Sequence, residues 1–103
     1  MDNQTIVEPR ANMDAEKWQE FQSYHEQNPH VWKLFEKFTI QLRHAGKTKY
    51  GAKSIMERVR WEEDTQNPGR EFKINNNYTS FYARIFVMKY PDFSNFFEFR
   101  ETK

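Results

Sequence analysis

Apolar side chains recur at helical spacing in two neighbouring stretches of this chain. In the first, Val31, Leu34, Phe35, Phe38 and Leu42 follow one another at i, i+3, i+4, i+7 and i+11, which predicts an amphipathic helix. Asn28-Pro29 precedes this run, and an asparagine cap followed by proline is typical of a helix start. Gly46 is placed to end the helix, because glycine readily takes the left-handed conformation found at helix C-termini.

The second stretch has Ala52, Ile55, Met56 and Val59 at i, i+3, i+4 and i+7. This spacing predicts a second amphipathic helix that runs to about Glu63. Only residues 47–50 separate the two stretches, and a connection this short makes the helices neighbours. They are predicted to pack either antiparallel or at a steep angle.

Two further helices have weaker signals. One is predicted to start near Asn12 or Asp14 and to end at Asn28, with a short apolar stripe of Trp18, Phe21 and Tyr24 or His25. The other is predicted from about Thr79 until Pro91 stops it, with a wide apolar arc. That arc comprises Phe81, Tyr82, Ile85, Phe86 and Met88.

Polar and apolar residues alternate in residues 71–75 and again in residues 96–100, which predicts two short strands that pair as a minor β-ribbon. The fold is therefore predicted to be mainly α, with four helices in a helix-turn-helix or winged-helix-like arrangement. Residues 1–11 are predicted to be a flexible tail and residues 12–103 a single helical domain. The predicted core comprises Leu34, Phe35, Phe38, Leu42, Ile55, Met56, Val59, Tyr82, Ile85 and Phe86.

Charge is segregated along the chain, although the formal net charge is only +1. Residues 31–60 hold eight basic and two acidic residues, whereas residues 1–30 hold six acidic and two basic ones. A basic middle third is typical of a surface that faces an anionic partner. The alternative is that lysine and arginine simply cover solvated helix faces.

Absent residues and segments exclude several classes of function. The chain has no cysteine, which excludes disulfides, thiol nucleophiles and thiolate metal sites. No apolar run approaches the length of a membrane span, and residues 1–10 lack a hydrophobic signal core. The protein is therefore predicted to be cytoplasmic, with no membrane partner.

The basic third coincides with the two best helices and their short glycine-containing turn, which favours helix-turn-helix DNA binding. The predicted phosphate contacts are Lys47, Lys49, Lys53, Arg58 and Arg60. A polar stretch opens the last helix and is predicted to lie near bases, because asparagine and arginine can read base edges. Its residues are Lys73, Asn76, Asn77, Thr79, Ser80 and Arg84. The alternatives are an ordinary helical hairpin and plain turn chemistry.

Catalytic patterns are weak. Asp64 with Glu71-x-Lys73 matches the acidic set of metal-dependent nucleases, but that chemistry needs adjacent strands of a central sheet. His25, His30 and His44 show no metal-ligand spacing and are predicted to be surface or capping residues. We therefore predict a protein that is not an enzyme and has no metal or cofactor.

The block from Tyr50 to Trp61, followed by Phe72-Lys73-Ile74-Asn75-Asn76-Asn77-Tyr78 and Tyr82-Ala83-Arg84, resembles a group of small uncharacterised proteins encoded by bacteriophages and bacteria. The resemblance covers about residues 28–100. It implies a phage or bacterial setting, and in the phage case the cytoplasm of the bacterial host. It carries over no binding or catalytic residue.

Two functions follow from these patterns. The first is non-enzymatic DNA binding by a small regulatory protein. The alternative is a protein-interaction module for a host or phage partner, since aromatic residues exceed what four short helices can bury and are enriched in interfaces. A homodimer is compatible with both.

Overall fold

Four α-helices occupy the stretches whose apolar spacing predicts them. The computed structural model describes residues 15–75 and 77–97. Within these residues the helices are α1 (Ala15–Gln27), α2 (Pro29–His44), α3 (Ala52–Gln66) and α4 (Tyr78–Lys89), and a short 3₁₀ helix (Pro91–Phe93) follows α4. The mainly helical fold is thus confirmed, and α3 is one turn longer than predicted.

A single residue separates α1 from α2. Pro29 opens α2 as predicted, but the Asn28 side chain does not cap it. Instead, both the backbone N–H and the side-chain amide of Asn28 donate to the Tyr24 carbonyl at 2.9 Å. Because those bonds satisfy the last turn of α1, Asn28 ends one helix while Pro29 begins the next.

Contacts along their length show that α2 and α3 run in opposite directions. His30, near the start of α2, lies 3.6 Å from Glu63 near the end of α3. Further along α2, the Phe38 ring contacts the guanidinium of Arg58, 4.4 Å from the ring centroid. The antiparallel packing predicted as one alternative is therefore the arrangement that the structure has.

Helix α4 packs inside the other helices, and Tyr82 is its central residue. The Tyr82 ring is fully buried. Its centroid lies 4.9 Å from that of Phe21 in α1 and 5.8 Å from that of Phe35 in α2. Edge-to-face and stacked ring pairs at these distances are favourable beyond the area they bury.

No described residue forms a hydrogen bond with the Tyr82 hydroxyl. Burial raises the pKa of Tyr82, so the phenol stays neutral. A buried neutral hydroxyl without a partner has a desolvation cost, which the ring contacts around Tyr82 offset.

The chain after α4 closes the end of the bundle opposite the α4 N-terminus. Phe93, Phe96 and Phe97 are buried there, and the Phe97 ring centroid lies 5.8 Å from that of Phe35. The Phe96 carbonyl accepts a hydrogen bond from the Tyr50 N–H at 3.0 Å. This segment therefore anchors the connection between α2 and α3.

A polar cluster joins α2 to α4 at the surface. One carboxylate oxygen of Glu36 accepts from Lys89 Nζ at 2.8 Å and from the Tyr90 hydroxyl at 2.6 Å. Partial burial acts to raise the pKa of Glu36, but these two hydrogen bonds outweigh it and lower the pKa. The same contacts raise the pKa of Lys89 and Tyr90.

The predicted β-ribbon is wrong for the residues that the structure describes, because residues 71–75 contain no strand. Phe72 and Ile74 are half-buried against the helices. The alternation therefore arises because one side of this loop packs on the helical core while the other is exposed. Phe96 and Phe97 lie in a turn at the other end of the bundle, where they cannot pair with it. Residues 98–100 of the second predicted strand lie outside the described residues.

The predicted core is largely confirmed. Phe35, Phe38, Ile55, Met56, Val59, Tyr82 and Phe86 are buried, while Leu34, Leu42 and Ile85 are half-buried against them. The predicted tail, residues 1–11, lies outside the described residues, as do residues 12–14, where α1 was predicted to start.

His25 is a core-edge residue rather than the surface or capping residue predicted. Its ring stacks on Phe21, with centroids 5.7 Å apart and planes 2° apart, and its Nδ1 is buried without a partner among the described residues. Burial is the larger influence and lowers the pKa of His25, while Glu26 acts to raise it. The neutral imidazole therefore fits the fold best.

We expect acidification to destabilise the protein through His25. The unfolded chain gains a proton as pH falls through about 6.5, whereas the folded state resists protonation until a lower pH, so stability is lost between the two pKa values. His25→Phe keeps the ring stack and removes this titration. Urea unfolding at pH 7.5 and 5.5 should show a smaller loss for the variant, and equal losses in both proteins would contradict the assignment.

Candidate nucleic-acid interface

Gly46 shapes the connection between α2 and α3. Its φ of 97° lies in the left-handed region, as predicted. Its N–H donates to the Arg43 carbonyl and the Lys47 N–H donates to the Leu42 carbonyl, both at 3.0 Å. These two bonds form a Schellman motif, which satisfies the last carbonyls of α2 and ends the helix.

Three predicted phosphate contacts lie together where this turn leaves the bundle. We call Lys47, Lys49 and Lys53 the basic end. All three are exposed, and no acidic residue occurs in the sequence between Glu36 and Glu57. Within residues 15–75 and 77–97, no carboxylate forms an ion pair with any of the three lysines.

Arg43 lies beside the basic end but its guanidinium is already engaged. It is 4.3 Å from the Phe93 ring centroid, and Nη2 donates to the Asp92 carbonyl at 3.4 Å. Arg43 therefore holds the 3₁₀ helix against α2 and adds its charge to the surroundings of the lysines.

Arg58 lies further along α3, in a stack of side chains. Its guanidinium is between the rings of Phe38 and Trp61, 4.4 and 4.7 Å from their centroids, and it pairs with Glu62 at 2.8 Å. Trp61 is 59% exposed, although tryptophan side chains are on average highly buried in folded proteins. The position of Trp61 on the same helix face as Ser54 and Thr65 is the sequence signal that indicates exposure.

The other predicted residues gather around the start of α4. A shallow cavity of about 590 Å³ is lined by Arg60 and Lys73 together with Tyr24, Tyr78 and residues 71–75. Burial is the largest influence that raises the pKa of both tyrosines. Charges of both signs meet here, because Glu71 also lines the cavity and lies 4.0 Å from Lys73 Nζ.

Hydrogen bonds within the turn fix the polar residues that precede α4. The Asn77 N–H donates to Asn75 Oδ1 at 2.8 Å, and the Ser80 hydroxyl donates to the Asn77 carbonyl at 3.2 Å. Asn76 lies outside the described residues. These bonds are the turn chemistry that was the alternative to base contacts.

Most sides of α4 are packed. Tyr78, Phe81, Tyr82, Ala83 and Phe86 are buried, and Thr79 and Arg84 are half-buried. Among the predicted base contacts on or next to α4, Asn77 and Ser80 are the exposed ones within the described residues. The face that α4 can offer a ligand is correspondingly narrow.

The predicted DNA surface is thus divided between two places. Lys53 is in the first turn of α3 and Arg60 is seven residues later, about 10 Å further along the helix axis. The hydrogen bond from the Tyr50 N–H to the Phe96 carbonyl lies beside the basic end. The cavity lined by Arg60 and Tyr24 lies at the opposite end of the bundle. Lys47, Lys49 and Lys53 lie on the α2–α3 connection and in the first turn of α3, at the end of the bundle opposite the start of α4.

Comparisons add no relative: no protein-family model, curated protein sequence or solved structure matches this chain. Among the described residues there is no cluster of three metal-ligating side chains, and no described helix is long and apolar enough to cross a membrane.

Gly46 provides a direct test of how the basic end is built. Gly46→Ala should lower the free energy of unfolding by about 1–2 kcal/mol, because a Cβ is disfavoured in the left-handed conformation, although nothing lies within 4 Å of the added atom. Gly46→Asn should cost less, since asparagine tolerates that conformation.

Gly69→Ala is the matched control, because Gly69 also has open space around it and no positive φ. Urea unfolding of the three variants measures the difference. Equal stability of the Gly46→Ala and Gly69→Ala proteins would show that the turn does not depend on the left-handed glycine.

Proposed function

We propose that the protein binds DNA without catalysis and that the basic end makes the phosphate contacts. The observation that carries this proposal is the exposure of Lys47, Lys49 and Lys53 with no ion-pair partner among the described residues. Lysines that are not neutralised within the chain are free to replace the counterions of a nucleic-acid backbone. The formal net charge of +1 for the whole chain does not reveal this local excess of basic residues.

The fold supports the proposal by giving the lysines a fixed base. Lys47 follows the Schellman turn, the bond from Tyr50 to Phe96 holds the connection in place, and Lys53 lies in the first turn of α3. The partial positive charge of the α3 N-terminus is offset by the partial negative charge of the α2 C-terminus at the same end. The positive charge of this end of the bundle therefore comes from the lysines.

In this proposal α2 and α3 are the helical pair, with their connection facing the phosphates, in a helix-turn-helix-like manner. Base reading is the weaker part, because α4 is largely packed and its start lies at the other end of the molecule. We therefore expect binding that depends strongly on salt and weakly on sequence.

Salt titration tests the proposal. If three phosphates are neutralised, log K for duplex DNA should fall against log salt with a slope of about −2.7, and each of Lys47→Gln, Lys49→Gln and Lys53→Gln should flatten the slope by about 0.9. Lys17→Gln on α1, also an exposed lysine, is the matched control and should leave the slope unchanged.

Fluorescence anisotropy of a labelled duplex measures these constants. An equal effect of Lys17→Gln and Lys53→Gln would indicate general charge attraction rather than a basic end. No binding at low salt would contradict DNA binding outright.

The second candidate function, a protein-interaction module, is favoured by the side-chain stack on α3. Trp61 is the most exposed large hydrophobic side chain among those described, and Arg58 lies directly against it. Tryptophan and arginine are the residue types that most often dominate interface energies. Failure of the salt titration would leave this surface as the candidate.

A further inference from the structure

The segment of residues 71–75 has the exposure pattern of a strand but no strand beside it. Phe72 and Ile74 are half-buried, whereas Glu71, Lys73 and Asn75 are exposed. Within the described part of the chain, no backbone-to-backbone hydrogen bond involves residues 71–74. Unpaired N–H and C=O groups along such a segment are a ready template for another extended chain.

One edge of the segment is already used. The Lys73 carbonyl accepts a hydrogen bond from the Tyr24 hydroxyl at 3.2 Å, so that edge faces α1. Successive residues of an extended chain direct their backbone groups to opposite edges. If residues 71–75 pair as a strand, the N–H and C=O groups of Phe72 and Ile74 lie on the edge away from Tyr24.

The charges beside Phe72 are self-complementary. If two copies of the segment pair antiparallel with Phe72 opposite Phe72, Glu71 of each copy lies opposite Lys73 of the other. A shift that centres the pair on Lys73 would instead place two lysines face to face, which is unfavourable. Within one chain, Glu71 and Lys73 are 4.0 Å apart with side chains 78% and 79% exposed, so they can readily exchange partners.

We propose that residues 71–75 are a homodimer contact, in which each copy adds its segment to that of the other as an antiparallel pair centred on Phe72. This contact does not involve the basic end, so the dimer proposal does not depend on the DNA-binding proposal. Two short strands make a small contact, and we expect a weak dimer that salt weakens further because its specificity comes from exposed charges.

Charge reversal at the two positions tests this register. Glu71→Lys and Lys73→Glu should each weaken self-association about tenfold or more, because both cross-strand pairs become repulsive. The swapped double variant, Glu71→Lys with Lys73→Glu, should restore association. A 1:1 mixture of the two single variants should form a heterodimer.

Sedimentation velocity over a concentration series at low salt measures these states, with circular dichroism confirming that each variant is folded. If the swapped double variant and the 1:1 mixture of single variants both associate, the loss in the single variants cannot be attributed to a general loss of charge. A wild-type protein that stays monomeric up to about 1 mM would overturn the proposal. So would single variants that associate as strongly as the wild type.

Discussion

Burial of large aromatic rings is the constraint on which this structure depends. The chain has ten phenylalanines, five tyrosines and three tryptophans, and most of those that the structure describes are buried among four helices of 12 to 16 residues. Such rings pack best edge-to-face or offset at 4.5–7 Å, which requires approach from several directions. Helix α4 meets that requirement by lying among the other helices, with Tyr82 in contact with rings of both α1 and α2. This arrangement of the helices determines which of their faces remain exposed.

The helices were predictable because their apolar residues repeat with the helical period, and burial of that stripe is a local property of each segment. The strand predicted at residues 71–75 shows where a local pattern fails. Alternation of polar and apolar residues indicates that one side of a segment is buried, but it does not show whether a neighbouring strand or the helical core buries it. The prediction that His25 is a surface or capping residue fails for a related reason. Whether a ring on an amphipathic helix faces a neighbour depends on where that neighbour packs, and the burial of α4 among the other helices is a tertiary fact.

The candidate site was half predictable. Charge segregation along the chain singled out Lys47, Lys49 and Lys53, which are close in sequence and are all exposed in the structure. Their separation from the start of α4 was not predictable, since it depends on the antiparallel course of α2 and α3. Asn75 and Asn77 form hydrogen bonds that fix the turn before α4, whereas Lys47, Lys49 and Lys53 are exposed. The proposed role is therefore contact with the nucleic-acid backbone rather than reading of its sequence.

The aromatic core can be tested most directly by removing Phe86. Its ring is fully buried and lies within 6.3 Å, between centroids, of the rings of Trp32, Phe35 and Phe97. Phe86→Ala should cost about 3–5 kcal/mol in urea unfolding. The transitions followed by circular dichroism and by tryptophan fluorescence should coincide, because one core joins all four helices. Two separate transitions, or a loss below about 1 kcal/mol, would contradict a single aromatic core centred on α4.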